Sequence, residues 1–362
     1  MNTLYSTQKQ RNSNIELLRI VAMFMIVLSH ICVHSDFHTS SLPFSFNKLF
    51  LQFGTLGNLG TDIFIIITGY FLCTSAFKLK NIIKLHNQVW FYSIVCFFVF
   101  YFCFNYNYSA EEYLMVFLPT IYKEYWFFSA YFILFIFSPF INKFLLTLNQ
   151  KNYKIFLTIS IVLWVIIPTF TDQTMYANDI ILFLLLYSIG AYFKLYPQNV
   201  FQKFNVRLSI SIVSLFLIFF STTIINLLAI KFTSMSGLGL LFYDKNSILT
   251  LLCATGLCSL AIYAKPNYNK FINKLGSCTF GIYLIHDNFA FREVVWKQVL
   301  FLPQYSHLIL LPLIIILTAT VVFIICSIIE LIRQKTIAKP MLELSTKFVY
   351  KIENLFNRLI KK

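Results

Sequence analysis

The stretch Glu16-Leu-Leu-Arg19-Ile-Val-Ala-Met-Phe-Met-Ile-Val-Leu-Ser-His30 is apolar at all but a few positions. A continuous apolar run of this kind predicts a helix that crosses a membrane. Arg19 and His30 lie inside the run, and ionisable groups at membrane depth are costly enough to indicate function. Their spacing brings them to within roughly 20° of the same helix face, about 16 to 17 Å apart along the axis. We therefore expect Arg19 near the inner end of one wall and His30 past its midpoint.

The whole chain has the composition of a membrane protein. Hydrophobic residues make up 58% of its 362 residues and charged residues 12%, and the mean hydropathy is +0.73. These values exclude an ordinary water-soluble domain. We predict an all-α, polytopic integral membrane bundle of about ten transmembrane helices. The predicted windows are about 15 to 34, 56 to 77, 87 to 104, 125 to 146, 155 to 170, 179 to 194, 208 to 230, 247 to 264, 275 to 291 and 305 to 330.

The distribution of basic residues predicts the orientation of this bundle. With a cytoplasmic N-terminus, 23 of the 29 Lys and Arg residues lie on the inner side of the ten windows. Short cytoplasmic loops accumulate Lys and Arg, so both termini are predicted to be cytoplasmic. The net charge of +15 is explained by basic residues that lie in the loops at the bilayer surface, and it requires no nucleic-acid partner.

The chain divides into a transmembrane domain, residues 1–335, and a tail, residues 336–362. In the tail, Met341, Leu344 and Phe348 recur at helical spacing, and Lys347 falls between them. This pattern predicts a basic amphipathic helix on the cytoplasmic side of the lipid bilayer. A solvated, loosely ordered tail is an equally open alternative.

Polar groups separate into two poles once the orientation is fixed. Cations at the inner pole suit a ligand that carries phosphate groups. Neutral imidazole at the outer pole suits the removal of a proton from a hydroxyl. The inner pole contains Arg19, Lys78, Lys80 and Lys84, and the outer pole contains His30, Asp62, Glu124, His286 and Asp287.

Four short motifs lie on the first, second, fourth and ninth predicted helices. They are Arg19-x10-His30, Ile-Ile-Thr68-Gly69-Tyr70, Tyr125-Trp126-Phe-Phe-Ser-Ala-Tyr131 continuing to Ser138-Pro139-Phe140, and Thr279-Phe-Gly-Ile-Tyr283-Leu-Ile-His286. Each motif alone is weak in apolar sequence. In this order they resemble the membrane-bound acyltransferase family 3, and the resemblance covers roughly residues 12 to 335.

The resemblance implies an integral membrane enzyme that moves an acyl group, usually acetyl, from cytoplasmic acetyl-CoA to a hydroxyl of a cell-surface or lipid-linked glycan. It implies no permanently bound cofactor, and a multi-pass location in a bacterial cell membrane. The family's essential helix-1 pair corresponds to Arg19 and His30. Its basic inner-loop motif corresponds to Lys80-Asn-Ile-Ile-Lys84, with Lys where the family usually has Arg. Lys cannot make the bidentate phosphate contact that Arg makes.

The spacing and the resemblance lead to one hypothesis for the donor. Acyl-CoA would place its phosphates near Arg19 and the loop from Lys78 to Lys84. The separation of about 16 to 17 Å is comparable to the pantetheine arm, so the thioester would reach His30. His30 would act as a general base or as a nucleophile, and the sequence leaves both open. Glu16 lies one turn before Arg19 as its partner.

The sequence leaves more than one interpretation open for most of the other candidate residues. Tyr283 and His286 line an acceptor cleft or support the fold. Trp126 and Tyr131 anchor the protein at the membrane interface or stack on sugars. Gly69 permits close helix packing, and Asp62 is a site residue or a buried polar partner.

Three further hypotheses concern the class of the protein and of its site. His30, His34 and His38 share helical spacing, but the predicted helix ends near His34, and no metal site is expected. A transporter or flippase for a glycan precursor is the main alternative to an enzyme, although repeated halves are not evident. A receptor would leave the Arg19 and His30 spacing unexplained.

Overall fold

A computed structural model describes residues 11–39, 42–55, 57–171, 173–235 and 237–360, with side chains described as far as residue 349. All regular structure within these residues is helical. The α-helices are α1 (Ser13–His34), α2 (Phe46–Gly54), α3 (Gly57–Leu72), α4 (Leu79–Phe104), α5 (Ala110–Phe117), α6 (Trp126–Thr147), α7 (Gln150–Ile161), α8 (Ile167–Thr171), α9 (Asp179–Leu195), α10 (Phe204–Lys231), α11 (Ile248–Ile262), α12 (Lys270–Gly276), α13 (Thr279–His286), α14 (Phe289–Phe291), α15 (Leu311–Thr336) and α16 (Ala338–Ile360). Shorter π and 3-10 segments are Val162–Ile166, Val200–Gln202, Thr233–Met235, Leu238–Tyr243, Arg292–Val299 and Leu302–Tyr305.

The predicted all-α polytopic bundle is confirmed. Within the described residues, 8 helical segments are long and apolar enough to cross a membrane. These segments are Ser13–His34, Phe46–Leu72, Leu79–Phe104, Trp126–Thr147, Gln150–Thr171, Phe204–Lys231, Thr233–Ile262 and Leu311–Thr336.

The other two predicted windows differ from full-length spans. The window at 179 to 194 becomes α9, a helix of 17 residues that is buried along most of its length. The window at 275 to 291 is broken into α12, α13 and α14. A short or broken helix is tolerated at membrane depth when neighbouring protein surrounds it and satisfies its backbone groups. Both windows are therefore internal elements of the bundle rather than lipid-facing spans.

Small residues bring the inner helices of the bundle into close contact. A Cβ atom on Gly69 of α3 would lie 2.0 Å from the carbonyl oxygen of Tyr187 on α9. A Cβ on Gly190 of α9 would lie 1.9 Å from the carbonyl oxygen of Ile66 on α3. Only glycine permits this approach of two backbones, which agrees with the helix-packing interpretation of Gly69.

A buried polar network holds α15 against α4 at the inner end. Glu330 accepts hydrogen bonds from Nε and Nη2 of Arg333, both at 2.8 Å. The Tyr92 hydroxyl donates to Glu330 at 2.6 Å, and the side-chain amides of Gln88 and Gln334 donate at 3.2 and 2.8 Å. The carboxylate is fully buried and fully hydrogen-bonded, which is the condition under which a buried ion pair is tolerated.

The tail forms a helix, α16, that packs against α4 and α15. Leu344 and Phe348 are exposed, with 72% and 64% of their surface accessible. The amphipathic pattern is therefore present as a helix with one apolar ridge uncovered. Its location on the inner leaflet stays a prediction. Residues 1–10 of the predicted domain and residues 361–362 of the predicted tail lie outside the described residues.

Candidate active site

A cavity with about 850 Å³ of empty volume follows one wall of α1, and we call it the central cavity. Arg19 and His30 both line it, in agreement with their helical spacing. Side chains from α3, α6 and α13 complete an aromatic wall consisting of Phe64, Trp126, Phe127, Tyr131, Phe280 and Tyr283.

A second, wider space lies at the inner end of the bundle, and we call it the inner vestibule. It shares Arg19, Leu85 and Phe280 with the central cavity, so the two spaces adjoin at these three residues. Its lining is rich in cations, which favours an anionic ligand. The cationic side chains are Arg11, Arg19, Lys84, Lys274 and Arg333.

The predicted lysine cluster is divided by the structure. Lys84 lies on the first turns of α4 and lines the inner vestibule. Lys78 and Lys80 are exposed and are not among the residues that line it. The cause is helical geometry, because α4 starts at residue 79 and turns successive side chains in different directions. A contribution of Lys78 and Lys80 to donor binding stays a prediction.

Glu16 fixes the position of Arg19 at the junction of the two spaces. Its carboxylate lies 3.6 Å from the Arg19 guanidinium and 3.9 Å from that of Arg11. Gly276 packs so closely on Glu16 that a Cβ there would lie 2.4 Å from Oε2. The Arg19 guanidinium also lies over the ring of Phe64, at 5.7 Å from its centroid. The predicted partnership of Glu16 and Arg19 is thus present in the structure.

His30 contacts a second histidine from the far end of the sequence. Its Nδ1 lies 3.0 Å from Nε2 of His286, on α13. Nδ1 of His286 lies 2.6 Å from the carbonyl oxygen of Ile282, which can only accept, so that nitrogen carries the proton. His286 Nε2 is then the acceptor, and His30 Nδ1 is the donor. This network assigns the lone pair of His30 to Nε2.

Asp287 lies beside both histidines of α1. Its Oδ1 is 3.3 Å from Nδ1 of His30 and 3.9 Å from Nε2 of His34. The guanidinium Nε of Arg292 lies 3.7 Å from the same oxygen. Asp287 is almost completely buried. A buried carboxylate in this position stabilises positive charge that forms on either imidazole.

The same three groups have the composition of a possible metal site, with Asp287 rather than His38 beside His30 and His34. Ligand atoms of His30, His34 and Asp287 all lie within 4.8 Å of one another. Two observations oppose a cation there. Arg292 already brings a positive charge to Asp287, and Nδ1 of His30 carries the proton that it donates to His286. The arrangement is better described as a hydrogen-bonded acid–base cluster.

A third space with about 1050 Å³ of empty volume opens at the outer end, and we call it the outer pocket. His34 lines it, together with Glu124 and Arg292. Ser93 donates a hydrogen bond of 2.6 Å to Glu124, and the side-chain amide of Asn288 donates another. Burial raises the pKa of the Glu124 carboxyl to about 7. Further lining residues are Asp36, Tyr106, Glu112, Lys123, Phe289, Glu293 and Lys297.

A comparison with protein families decides the class of this membrane protein. A family model described as an acyltransferase domain matches residues 12–331, nearly the whole chain. The chain belongs to acyltransferase family 3. Comparisons with curated proteins and with solved structures give no match. The resemblance seen in the four motifs is confirmed, and the transporter and receptor alternatives are not retained.

In this acyltransferase, Asp62, Gly69 and Tyr70 are predicted site residues that do not line the central cavity. Gly69 forms the contact with α9. Tyr70 lies beneath Lys194, whose Nζ is 5.1 Å from the ring centroid. Asp62 is 1% exposed, and neither carboxylate oxygen has a hydrogen-bond partner among the described residues. These positions fit supporting roles better than contact with a substrate in the cavity.

The acyltransferase site also contains residues to which the sequence assigns no catalytic role. Asp287, which the sequence places only in the outer pole, and Arg292 belong to the acid–base cluster. The sequence indicates His34 only as a possible metal ligand. Two sequence signals point to them. Asp287 directly follows His286 of the ninth-helix motif, and His34 lies one helical turn after His30.

Proposed function

We propose that this protein transfers an acyl group, most favourably acetyl, from cytoplasmic acyl-CoA to a hydroxyl of a cell-surface or lipid-linked polysaccharide. The product is an O-acyl ester, and no permanently bound cofactor is required. One observation carries the proposal. Arg19 and His30 line a single cavity, which adjoins a cationic vestibule at its inner end.

The inner vestibule supports an acyl-CoA donor. Coenzyme A carries several phosphate groups, and guanidinium and ammonium groups bind phosphate by charge-assisted hydrogen bonds. Arg19, Lys84 and Lys274 all line the vestibule. Arg19 also lines the central cavity, so it can hold the donor where the pantetheine arm leaves the vestibule.

The central cavity supports transfer of the acyl group across most of the bilayer. The aromatic wall suits an uncharged arm and excludes water that would hydrolyse the thioester. An arm that follows α1 from Arg19 brings its thioester to His30. Nε2 of His30 then acts as a general base or as a nucleophile, because its lone pair is free of the cluster's hydrogen bonds.

The outer pocket supports a carbohydrate acceptor. Its lining mixes carboxylates and cations with the aromatic rings of Tyr106 and Phe289. Carboxylates accept hydrogen bonds from sugar hydroxyls, and aromatic faces pack against the apolar faces of sugars. The distribution of Lys and Arg supports a cytoplasmic inner vestibule, and hence an outer pocket on the opposite side of a bacterial cell membrane.

The test uses native membrane vesicles whose cytoplasmic face points outward. With [¹⁴C]acetyl-CoA outside, wild-type protein is expected to form alkali-labile labelled ester, and His30→Gln is expected to form none. His307→Gln changes an exposed outer histidine and is the matched control. Mass spectrometry of surface glycan from a deletion strain identifies the ester that disappears. Labelling that is equal in the wild-type and His30→Gln vesicles would refute the proposal.

A further inference from the structure

Two histidines one turn apart on α1 face different spaces. His30 lines the central cavity, and His34 lines the outer pocket. Their ring centroids are 5.1 Å apart. A thioester that arrives from the inner side therefore meets His30, whereas a hydroxyl that arrives from the outer side meets His34. We propose that His34 is the base that deprotonates the acceptor hydroxyl, and that His30 is the nucleophile that receives the acyl group. This inference rests on the proposed function.

The hydrogen-bond network shows why one histidine does not suffice for a covalent route. Nδ1 of His30 carries a proton that points to His286, which is fixed as an acceptor by its bond to Ile282. An acyl group on Nε2 would occupy the remaining nitrogen. An acylated His30 thus has no lone pair with which to deprotonate the acceptor. The second step needs another base within reach of the acyl carbon.

His34 is placed to be that base. A hydroxyl oxygen located between the two rings can approach the acyl carbon on His30 and a nitrogen of His34 together. His34 keeps access to the outer pocket, with 24% of its side chain exposed, against 15% for His30. It can therefore release its proton to the outer side after each transfer.

The acyl group moves in two steps, from the thioester to His30 and from His30 to the acceptor hydroxyl. Nε2 of His30 attacks the thioester carbonyl, the new N–C bond forms, the C–S bond breaks, and its electron pair leaves as coenzyme A thiolate. The acceptor hydroxyl then gives its proton to His34, and its oxygen attacks the acyl carbon. A C–O bond forms, the C–N bond breaks, and its electron pair returns to His30. The thiolate gains a proton from the inner solution, and His34 loses one to the outer solution.

Asp287 can serve both steps. Its Oδ1 lies 3.3 Å from His30 and 3.9 Å from His34. The first step places a positive charge on acylated His30, and the second places one on His34. A single carboxylate beside both rings stabilises the two charges in turn.

The experiment separates the two steps in membrane vesicles that contain the native acceptor. Each variant receives [¹⁴C]acetyl-CoA. Free coenzyme A is measured by chromatography, and label is measured on the protein after rapid denaturation near neutral pH and, separately, in alkali-labile ester on the glycan. We expect His34→Gln to release about one coenzyme A per protein in a burst and to keep label on the protein. Its ester formation should fall about 100-fold or more, the usual contribution of a general base.

The controls distinguish failure of this proposal from failure of the proposed function. His38→Gln changes another histidine near the outer end of α1 and should behave as wild type, and His30→Gln should give neither burst nor ester. Ester formation by His34→Gln at the wild-type rate would overturn the proposal. Loss of the burst in both His34→Gln and His34→Asn would also overturn it. Wild-type vesicles that release no coenzyme A would refute the proposed function itself.

Discussion

Replacing Asp287 with Asn removes the negative charge beside both histidines and changes the side-chain shape very little. At 3.3 Å and an effective dielectric constant of about 20, a unit charge on His30 gains about 5 kcal/mol from this carboxylate. Partial solvent access to His30 reduces this value. We expect a loss of about 3 to 4 kcal/mol in the transition state, which is a decrease in kcat of roughly 10² to 10³-fold. The KM for acyl-CoA should change little, because Asp287 is remote from the inner vestibule.

The assay measures initial rates of ester formation in membrane vesicles over a range of [¹⁴C]acetyl-CoA concentrations. Asp179→Asn is the matched control, because Asp179 is also an outer carboxylate in an ion pair, 2.5 Å from Lys245. It should keep the wild-type kcat. A kcat for Asp287→Asn within twofold of wild type would refute the assignment of Asp287. A defect confined to KM would refute it as well.

Three further predictions concern stability and donor binding. Burial raises the pKa of Glu124 from 4.5 to about 7. The free energy of unfolding, compared with that of Glu124→Gln, should therefore be highest below pH 4.5 and should fall by up to about 3 kcal/mol as the pH rises through 7. A difference in thermal stability between the two proteins that stays constant across this pH range would contradict this. Glu330→Leu should destabilise the protein by about 3 to 5 kcal/mol, because Arg333 is left buried without its partner. The double variant Glu330→Leu/Arg333→Met should recover much of this stability, as measured by thermal unfolding. A double variant that is less stable than Glu330→Leu would count against the ion pair. Lys84→Ala should raise the KM for acetyl-CoA roughly fivefold, as expected for a loss of about 1 kcal/mol in donor binding. Lys80→Ala should raise this KM less. A larger increase for Lys80→Ala than for Lys84→Ala would show that the donor lies outside the vestibule.

The sequence predicted the features that depend on local geometry. Arg19 and His30 line one cavity because a helix of known pitch fixes their relative direction whatever surrounds it. The polytopic class also follows from the sequence, since long apolar windows leave few other folds. Gly69, in the second motif, predicted a close helix contact, because the absence of a Cβ atom is a property of the residue alone.

The sequence did not predict the features that depend on tertiary packing. His286 and His30 are separated by 256 positions, and no local pattern indicates that the end of α13 brings Asp287 beside the two histidines of α1. The breaks that separate α12, α13 and α14 were not predicted either; after the second break, the Asn288 side chain accepts hydrogen bonds from the backbone N–H groups of Ala290 and Phe291. The division between Lys84 and the exposed Lys80 depends on where α4 begins.

The most direct test of the account measures on which side of the membrane the ester appears. Sealed vesicles with the cytoplasmic face outward receive [¹⁴C]acetyl-CoA, and an esterase that cannot cross the membrane is then added outside. If the acyl group travels from Arg19 to His30 through the central cavity, labelled ester should resist the esterase until detergent opens the vesicles, and His30→Gln vesicles should contain none. Ester that the external esterase removes from intact vesicles would contradict transfer across the membrane.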